Sequence, residues 1–574
     1  MKKNKKRSKK NKLMKKIIPV LIAVGMIFII AAGAAGSFLY QRYSYSKEKA
    51  DLNAYYGLLE TADTAIILND VILEEKGILR DGHCYLDLES VHSYLNDRFY
   101  VDYNEKLLLY VLPEEVVSVP LGETSEDGYV AAFEAGETAY LALDFVKKYS
   151  DFNFTLYTEP NRVLLETLWE ELSTAEISKD TAVRLKGGVK SEILTEVAKG
   201  DRVKVLEEME TWDRVATQDG YIGYVEKKRL TDFKTETAIK DTGYVEPDYG
   251  SNTRDYKINL SWHQISAEAG NSTFPGVMDG VTCVNVISPT WFFLYDNEGT
   301  VRSIASKEYV DTAHARGLEV WALVDDFTHK SDNGVETQEV LSYTSKRKLV
   351  IDTLMSEAER CGFDGINVDF ERVTEEAGED YIQFIRELAM ECRSRGLVLS
   401  VDNYVPRNFN AHYEWKEQGI MADYVIIMGY DEHWAGCEEA GSVASLGYVE
   451  EGIQKMVEVV PSRKVINALP LYTRIWNTDS EGKVTSQAVG IKTASDYLIN
   501  NRVAYEWDEA TGQNYAEFTS DGDLVQVWLE DEQSIAAKIS VMKHYNLGGV
   551  ATWKLGFDDG RENIWSVIAA FLAD

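Results

Sequence analysis

Asp364-Gly365-Ile366-Asn367-Val368-Asp369-Phe370-Glu371 decides the fold of the larger part of this 574-residue chain. Its apolar and polar residues alternate with the period of a β-strand, so Ile366, Val368 and Phe370 share one face and Asn367, Asp369 and Glu371 the other. The apolar face suits a covering layer of helices, which leaves the polar row pointing into an interior. A buried file of carboxyl groups is costly unless its members are hydrogen-bonded or share protons, and a purely structural strand carries apolar residues there. Acid chemistry accounts for the row. Repulsion from Asp369 and partial burial are both expected to raise the pKa of Glu371, at the mouth end, and keep it protonated for donation to a leaving oxygen.

Outward from this strand, similar apolar runs recur at intervals filled by helical patterns. They fall at 257–260, 281–287, 318–324, 365–370, 398–401, 424–428, 464–469 and 549–553. Eight βα units in about 300 residues predict an α/β (β/α)8 TIM barrel over 254–574. Barrels of this kind carry their chemistry at the C-terminal ends of the strands. Asp325 and Asp402 sit near that mouth without an assignable role.

The octapeptide resembles the D-x-x-D-x-D-x-E signature of family 18 glycoside hydrolases. Val284 to Phe292, Ile427-Met428-Gly429-Tyr430-Asp431-Glu432, Leu469 to Arg474 and Ala551-Thr552-Trp553 fall at strand ends where that family has related segments. The nearest flavour is the subgroup of spore-cortex and cell-wall N-acetylglucosaminidases. The resemblance implies a substrate-assisted retaining mechanism, an exception to the usual two-carboxylate scheme. It makes Glu371 the acid, Asp369 the residue that orients the substrate's acetamido N–H, and Tyr430 a hydrogen-bond donor to the acetamido oxygen. Met428 and Asp431 shape the same pocket, Trp553 forms its floor, and Tyr472 and Trp291 are further candidates for sugar contact.

The sequence departs from the signature at Asn367, where the family has Asp; Asn367 is expected to donate a hydrogen bond to Asp369 and to alter the pH dependence. The third strand, Trp321 to Asp326, also lacks the Ser/Gly-rich segment of many members. The mechanism calls for no cofactor and no metal, and no 12-residue calcium-loop pattern is present.

Ten of the 60 Lys and Arg fall within residues 1–16, with no acid among them. They precede an uncharged, mostly apolar run at 17–40, long enough to span a bilayer. The positive-inside rule places the N-terminus in the cytoplasm and the rest outside. The small residues Ala31 to Ser37 leave open a cleaved signal peptide, which exports the remainder equally. A polar stalk at 41–62 follows. Short β-rich runs and one helical stretch at 63–170 resemble the small α+β domain at the N-terminus of copper amine oxidases, a spacer or wall-facing adaptor to which no copper chemistry is attached. At 177–232, alternating runs separated by Gly-Gly, Lys-Gly and Asp-Gly turns predict a five-stranded β-barrel. With Trp212 and Asp219-Gly220-Tyr221-Ile222-Gly223-Tyr224-Val225 it resembles bacterial SH3 domains; Trp212 and Tyr224 either fill its core or bind a ligand. A polar linker runs from 233 to 253.

With 45% hydrophobic and 11% aromatic residues the chain is folded protein rather than disordered. A net charge of -34 that would be still more negative without its N-terminal cations repels phosphate backbones and excludes nucleic acid as partner. Cys84, Cys283, Cys361, Cys392 and Cys437 are odd in number and lack metal or disulfide spacing. The expected partner is a polysaccharide containing N-acetylglucosamine. Peptidoglycan, chitin and the N-glycan core all fit, as does a non-catalytic sugar-binding surface protein.

Overall fold

The structure, a computed structural model, describes residues 3–125, 127–238, 240–558 and 562–573. Two compact units form: Met1–Asp97 with Leu121–Glu246, and Arg98–Pro120 with Pro247–Asp574.

The first unit begins with the helix Lys3–Tyr43, whose stretch Ile17–Tyr43 contains an 18-residue window with a mean hydropathy of 2.7 and no burial against the rest of the chain. At 1.5 Å per residue those 27 residues reach about 40 Å, enough to cross a membrane. The polar segment after it is partly folded. Asp51 caps the helix Leu52–Tyr56, and the buried Tyr56 hydroxyl donates to the Gly220 carbonyl at 2.9 Å. A seven-stranded sheet follows, with Asp63–Leu68 parallel to Arg162–Glu166 and antiparallel to Val71–Arg80. The helix Leu88–Tyr94 is capped by Asp87, which accepts from the Ser90 N–H at 2.8 Å.

A second seven-stranded sheet covers the SH3-like segment. The outer strands Glu171–Ile177 and Leu230–Thr237 pair with each other and extend the five expected from sequence. Its core is built from Ile177, Val183, Val203, Val205, Val215, Ile222 and Val225. Trp212 and Tyr224 are only half-buried, because the aliphatic strands fill the core without them.

In the second unit eight parallel strands close into the barrel: β1 (Ile258–His263), β2 (Val286–Leu294), β3 (Glu319–Asp325), β4 (Gly365–Asp369), β5 (Val398–Tyr404), β6 (Tyr424–Met428), β7 (Val465–Pro470) and β8 (Gly549–Trp553). Pairing of β1 with both β8 and β2 completes the ring. Seven strands lie where the sequence places them. β2 starts five residues later than the apolar run at 281–287, because Cys283 adopts a left-handed φ of 62° and Asn285 turns its side chain to accept from the Asn259 N–H. Val281 and Cys283 thus pack on the core from a loop.

Residues 472–529, between β7 and β8, form a five-stranded antiparallel sheet with the helix Ile491–Asn501. It has its own small core of Ile475, Val489, Leu498, Val525, Val527 and Leu529. The sequence reading did not anticipate this insertion.

The segment Arg98–Pro120, continuous in sequence with the 63–170 region, packs with the barrel as three antiparallel strands. Its polar residues find their partners there. The Tyr100 hydroxyl donates to Asp380, Asp102 accepts from the Thr344 N–H at 2.7 Å, and Arg98 pairs with Glu417 at 3.1 Å. The later part of the linker is tied down likewise, with Tyr249 buried and donating to the Val111 carbonyl at 3.0 Å.

Candidate active site

The inward row of β4 starts with Asn367, which is fully buried. Its Oδ1 accepts from the Trp262 indole N–H at 2.9 Å and the Ser288 hydroxyl at 3.1 Å. Its Nδ2 donates to Ser400 Oγ at 3.0 Å and to Asp402 Oδ1 at 2.8 Å. The expected bond from Asn367 to Asp369 is therefore replaced: both amide hydrogens go across to β5. The amide occupies the centre of a four-strand network that ionised Asp, having no donor, would break.

Asp369 lies one step nearer the mouth. Burial, followed by the charges of Glu371, Asp402, Asp325 and Asp326, pushes its pKa well above the ordinary carboxylate range. Glu371 is also raised, chiefly by burial, with Asp431 contributing; the Tyr404 hydroxyl, which donates to its Oε2, and the charge of Arg372 pull the other way. Burial thus raises both signature acids, and the repulsion between them is shared by the pair.

The backbone around Glu371 is fixed by Asp326. This fully buried carboxylate accepts from the N–H groups of Glu371 at 2.9 Å and Arg372 at 3.0 Å, and from the Thr337 hydroxyl at 2.7 Å. Its neighbour Asp325 accepts from the N–H groups of Phe327 and Thr328. Burial raises both to about 6. Asp326 thus positions the backbone that carries Glu371, while Asp325 lines the cavity.

These groups surround a cavity of about 370 Å³ at the C-terminal end of the barrel. Asp369, Glu371, Met428, Tyr430, Asp431 and Trp553 all line it. Trp553 packs at 5.9 Å from Trp262, whose indole is anchored on Asn367, so the aromatic floor is braced by the polar row. Asp431 has a φ of 57°, a conformation that β-branched or bulky residues rarely adopt, and accepts from the Tyr472 hydroxyl. Tyr472 stands behind Asp431 and outside the cavity lining.

Trp291 is not at the site. β2 points Ser288 and Thr290 inward, so Trp291 faces the helices, where it is fully buried, donates to Asn271 Oδ1 at 2.8 Å and packs edge-on against Tyr309. Sequence reasoning also passed over Trp262, Tyr404 and the cavity-lining role of Asp402. Strand parity was the available signal, since Ser400, Asp402 and Tyr404 alternate along β5.

The Tyr404 hydrogen bond favours the ionised form of Glu371, so Tyr404→Phe is expected to raise the Glu371 pKa further. The alkaline limb of the pH–rate profile then moves to higher pH while kcat at its optimum stays within about threefold of wild type. A limb displaced to lower pH would contradict this role.

A carboxyl raised by burial at the end of β4, acids beside it and an aromatic floor are features of a sugar-processing TIM barrel. Residues 331–558 match the glycosyl hydrolases family 18 and residues 179–231 the bacterial SH3 domain. Residues 331–558, which hold barrel strands β4 to β8, are thus family 18 glycoside hydrolase sequence. The chain is 24% identical over 260 residues to the putative sporulation-specific glycosylase YdhD of Bacillus subtilis, covering 44% of this chain and 61% of that protein. Against the cortical fragment-lytic enzyme of Bacillus anthracis it is 28% identical over 229 residues, 38% of this chain and 53% of the relative. The C-terminal domain of a putative chitinase from Desulfitobacterium hafniense superposes with a TM-score of 0.50 at 19% identity, covering 55% of this chain and all of that one, and shares the fold.

Proposed function

We propose that the barrel hydrolyses β-linked polymers containing N-acetylglucosamine, with peptidoglycan as the substrate. The observation that carries the reading is the convergence of Glu371, Asp369 and Tyr430 on one cavity above Trp553. Glu371, protonated by desolvation, gives its proton to the glycosidic oxygen as the bond to C1 breaks. The substrate's acetamido carbonyl oxygen attacks C1 and forms an oxazolinium ion, with Asp369 accepting the acetamido N–H and Tyr430 donating to the acetamido oxygen. Glu371, now a carboxylate, takes a proton from the water that reopens the ring at C1. Met428 and Asp431 close the pocket, and Tyr472 holds Asp431.

Peptidoglycan is favoured over chitin by the similarity to cortical fragment-lytic enzymes and by the SH3 domain. The N-terminal helix acts as the membrane anchor, its basic end in the cytoplasm, and holds the barrel against the wall at a raised effective concentration. The half-buried Trp212 and Tyr224 offer the SH3 domain a ligand face, and the 63–170 segment serves as spacer.

The test is reducing-sugar release by the full chain in detergent from purified peptidoglycan, with chitin oligosaccharides beside it. Release from peptidoglycan at least about tenfold faster than from chitin is the expected result. Activity on chitin alone would transfer the substrate assignment, and activity on neither would leave a sugar-binding protein.

A further inference from the structure

β4 and β5 run side by side, with Asn367 opposite Ser400 and Val368 opposite Val401. The next position in that register sets Asp369 beside Asp402. Adjacent strands lie about 4.8 Å apart, and residues at one register position point to the same face. Both carboxyl groups accordingly enter the barrel, both are nearly inaccessible, and both line the same cavity. Asn367 engages Oδ1 of Asp402 and so leaves Oδ2 for another partner. That Oδ2 is buried without a hydrogen bond among the described residues, and so is Oδ1 of Asp369.

Two ionised carboxylates on adjacent strands, both shielded from water, repel each other. The groups facing them add to the load. Asp325 and Asp326 come from the β3 end, Glu371 from β4, Tyr404 from β5, Tyr430 from β6 and Tyr381 from the helix Gly378–Ser394; the charge of Arg372 acts on Glu371. One proton placed between the two acids removes the repulsion and satisfies both bare oxygens.

We infer that Asp369 and Asp402 hold a single proton between them, and that Asp402 is a positioning residue supplying from β5 the second acid that the signature carries on β4. With the proton on Asp402, Asp369 is an anion that accepts a hydrogen bond from behind and faces the cavity with its other oxygen. The Asn367 amide fixes which oxygen of Asp402 turns toward Asp369. Asn at 367 and Asp at 402 thus work as a matched exchange.

The catalytic part of this rests on the proposed hydrolysis; the shared proton does not, and the experiment separates them. Infrared titration of the full chain in the Glu371→Gln background removes the acid signal of Glu371. At about pH 8, Asp325 and Asp326, each near 6, are ionised. A protonated-carboxyl component beyond any from Glu530 and Asp380, which burial also raises, is expected there, and that component disappears in either Asp369→Asn or Asp402→Asn. A component that survives both variants, or is absent from the parent, overturns the shared proton.

The positioning role is read by kinetics with Glu371 restored. Asp402→Ala lowers kcat at least about thirtyfold with KM little changed, whereas the swap Asn367→Asp/Asp402→Asn keeps kcat within about threefold of wild type. A swap as impaired as Asp402→Ala overturns that role. A wild-type chain that cleaves no glycan refutes the hydrolase reading and leaves the infrared result to decide the proton.

Discussion

Glu371→Gln is expected to lower kcat on peptidoglycan by about a thousandfold or more and to leave KM within about twofold. The substitution keeps size and shape while removing the one proton that the proposed reaction delivers to the leaving oxygen. The supporting structure is untouched: Asp326 holds residue 371 through its backbone N–H, and the Tyr404 hydroxyl still finds an acceptor in the amide oxygen. Binding contacts from Trp553, Tyr430 and Asp369 persist, which is why the loss belongs in kcat. Initial rates over a range of substrate concentrations measure both constants. A variant retaining a tenth of the wild-type kcat would show that another group protonates the glycosidic oxygen. A large rise in KM with kcat preserved would make Glu371 a binding residue.

The sequence made the barrel and its acid legible because period-two alternation carries both. In β4 the same pattern that names a strand also states which side chains point inward, and so sets Asn367, Asp369 and Glu371 on the inner face. β6 and β8 delivered Met428 and Trp553 at their C-terminal ends in the same way. Trp291 went astray because β2 begins at Val286 rather than 281, and proximity to a strand end says nothing of facing unless the register is right. Asn367 pairs with Asp402 rather than Asp369 for a reason no single strand contains: its partners lie on β1, β2 and β5, three different segments of chain. The insertion at 472–529 was hidden because its alternating strands occupy a gap in which a barrel expects a helix. Arg98–Pro120 was hidden more deeply, since its membership of the barrel unit depends on partners more than 200 residues away.

Those distant partners make Arg347 the side chain whose loss is expected to cost the barrel unit most. It is fully buried in the helix Thr344–Cys361. Its guanidinium pairs with Glu387 at 3.0 Å and donates to the Leu341 carbonyl at 2.6 Å, to Thr344 Oγ1 at 3.0 Å and to the Tyr100 hydroxyl at 3.2 Å. Gln383 donates to the same Glu387 at 2.9 Å. One planar cation thus joins two barrel helices to the strand Tyr100–Asp102. Arg347→Met leaves Glu387 buried and unpaired, a situation that costs about 3–5 kcal/mol. Arg347→Met/Glu387→Met removes the stranded charge and is expected to recover more than half of that loss, because well-packed apolar replacements of a buried pair are often neutral. Ten of the 12 Trp lie beyond residue 256, so the fluorescence transition in denaturant reports the barrel unit rather than the rest of the chain. Equal destabilisation by the single and double variants would mean that the hydrogen bonds to Leu341, Thr344 and Tyr100, not the ion pair, hold this junction. A single variant less than 1 kcal/mol below wild type would mean that water or Gln383 already satisfies Glu387, and that the contact between Arg98–Pro120 and the barrel helices rests on its other bonds.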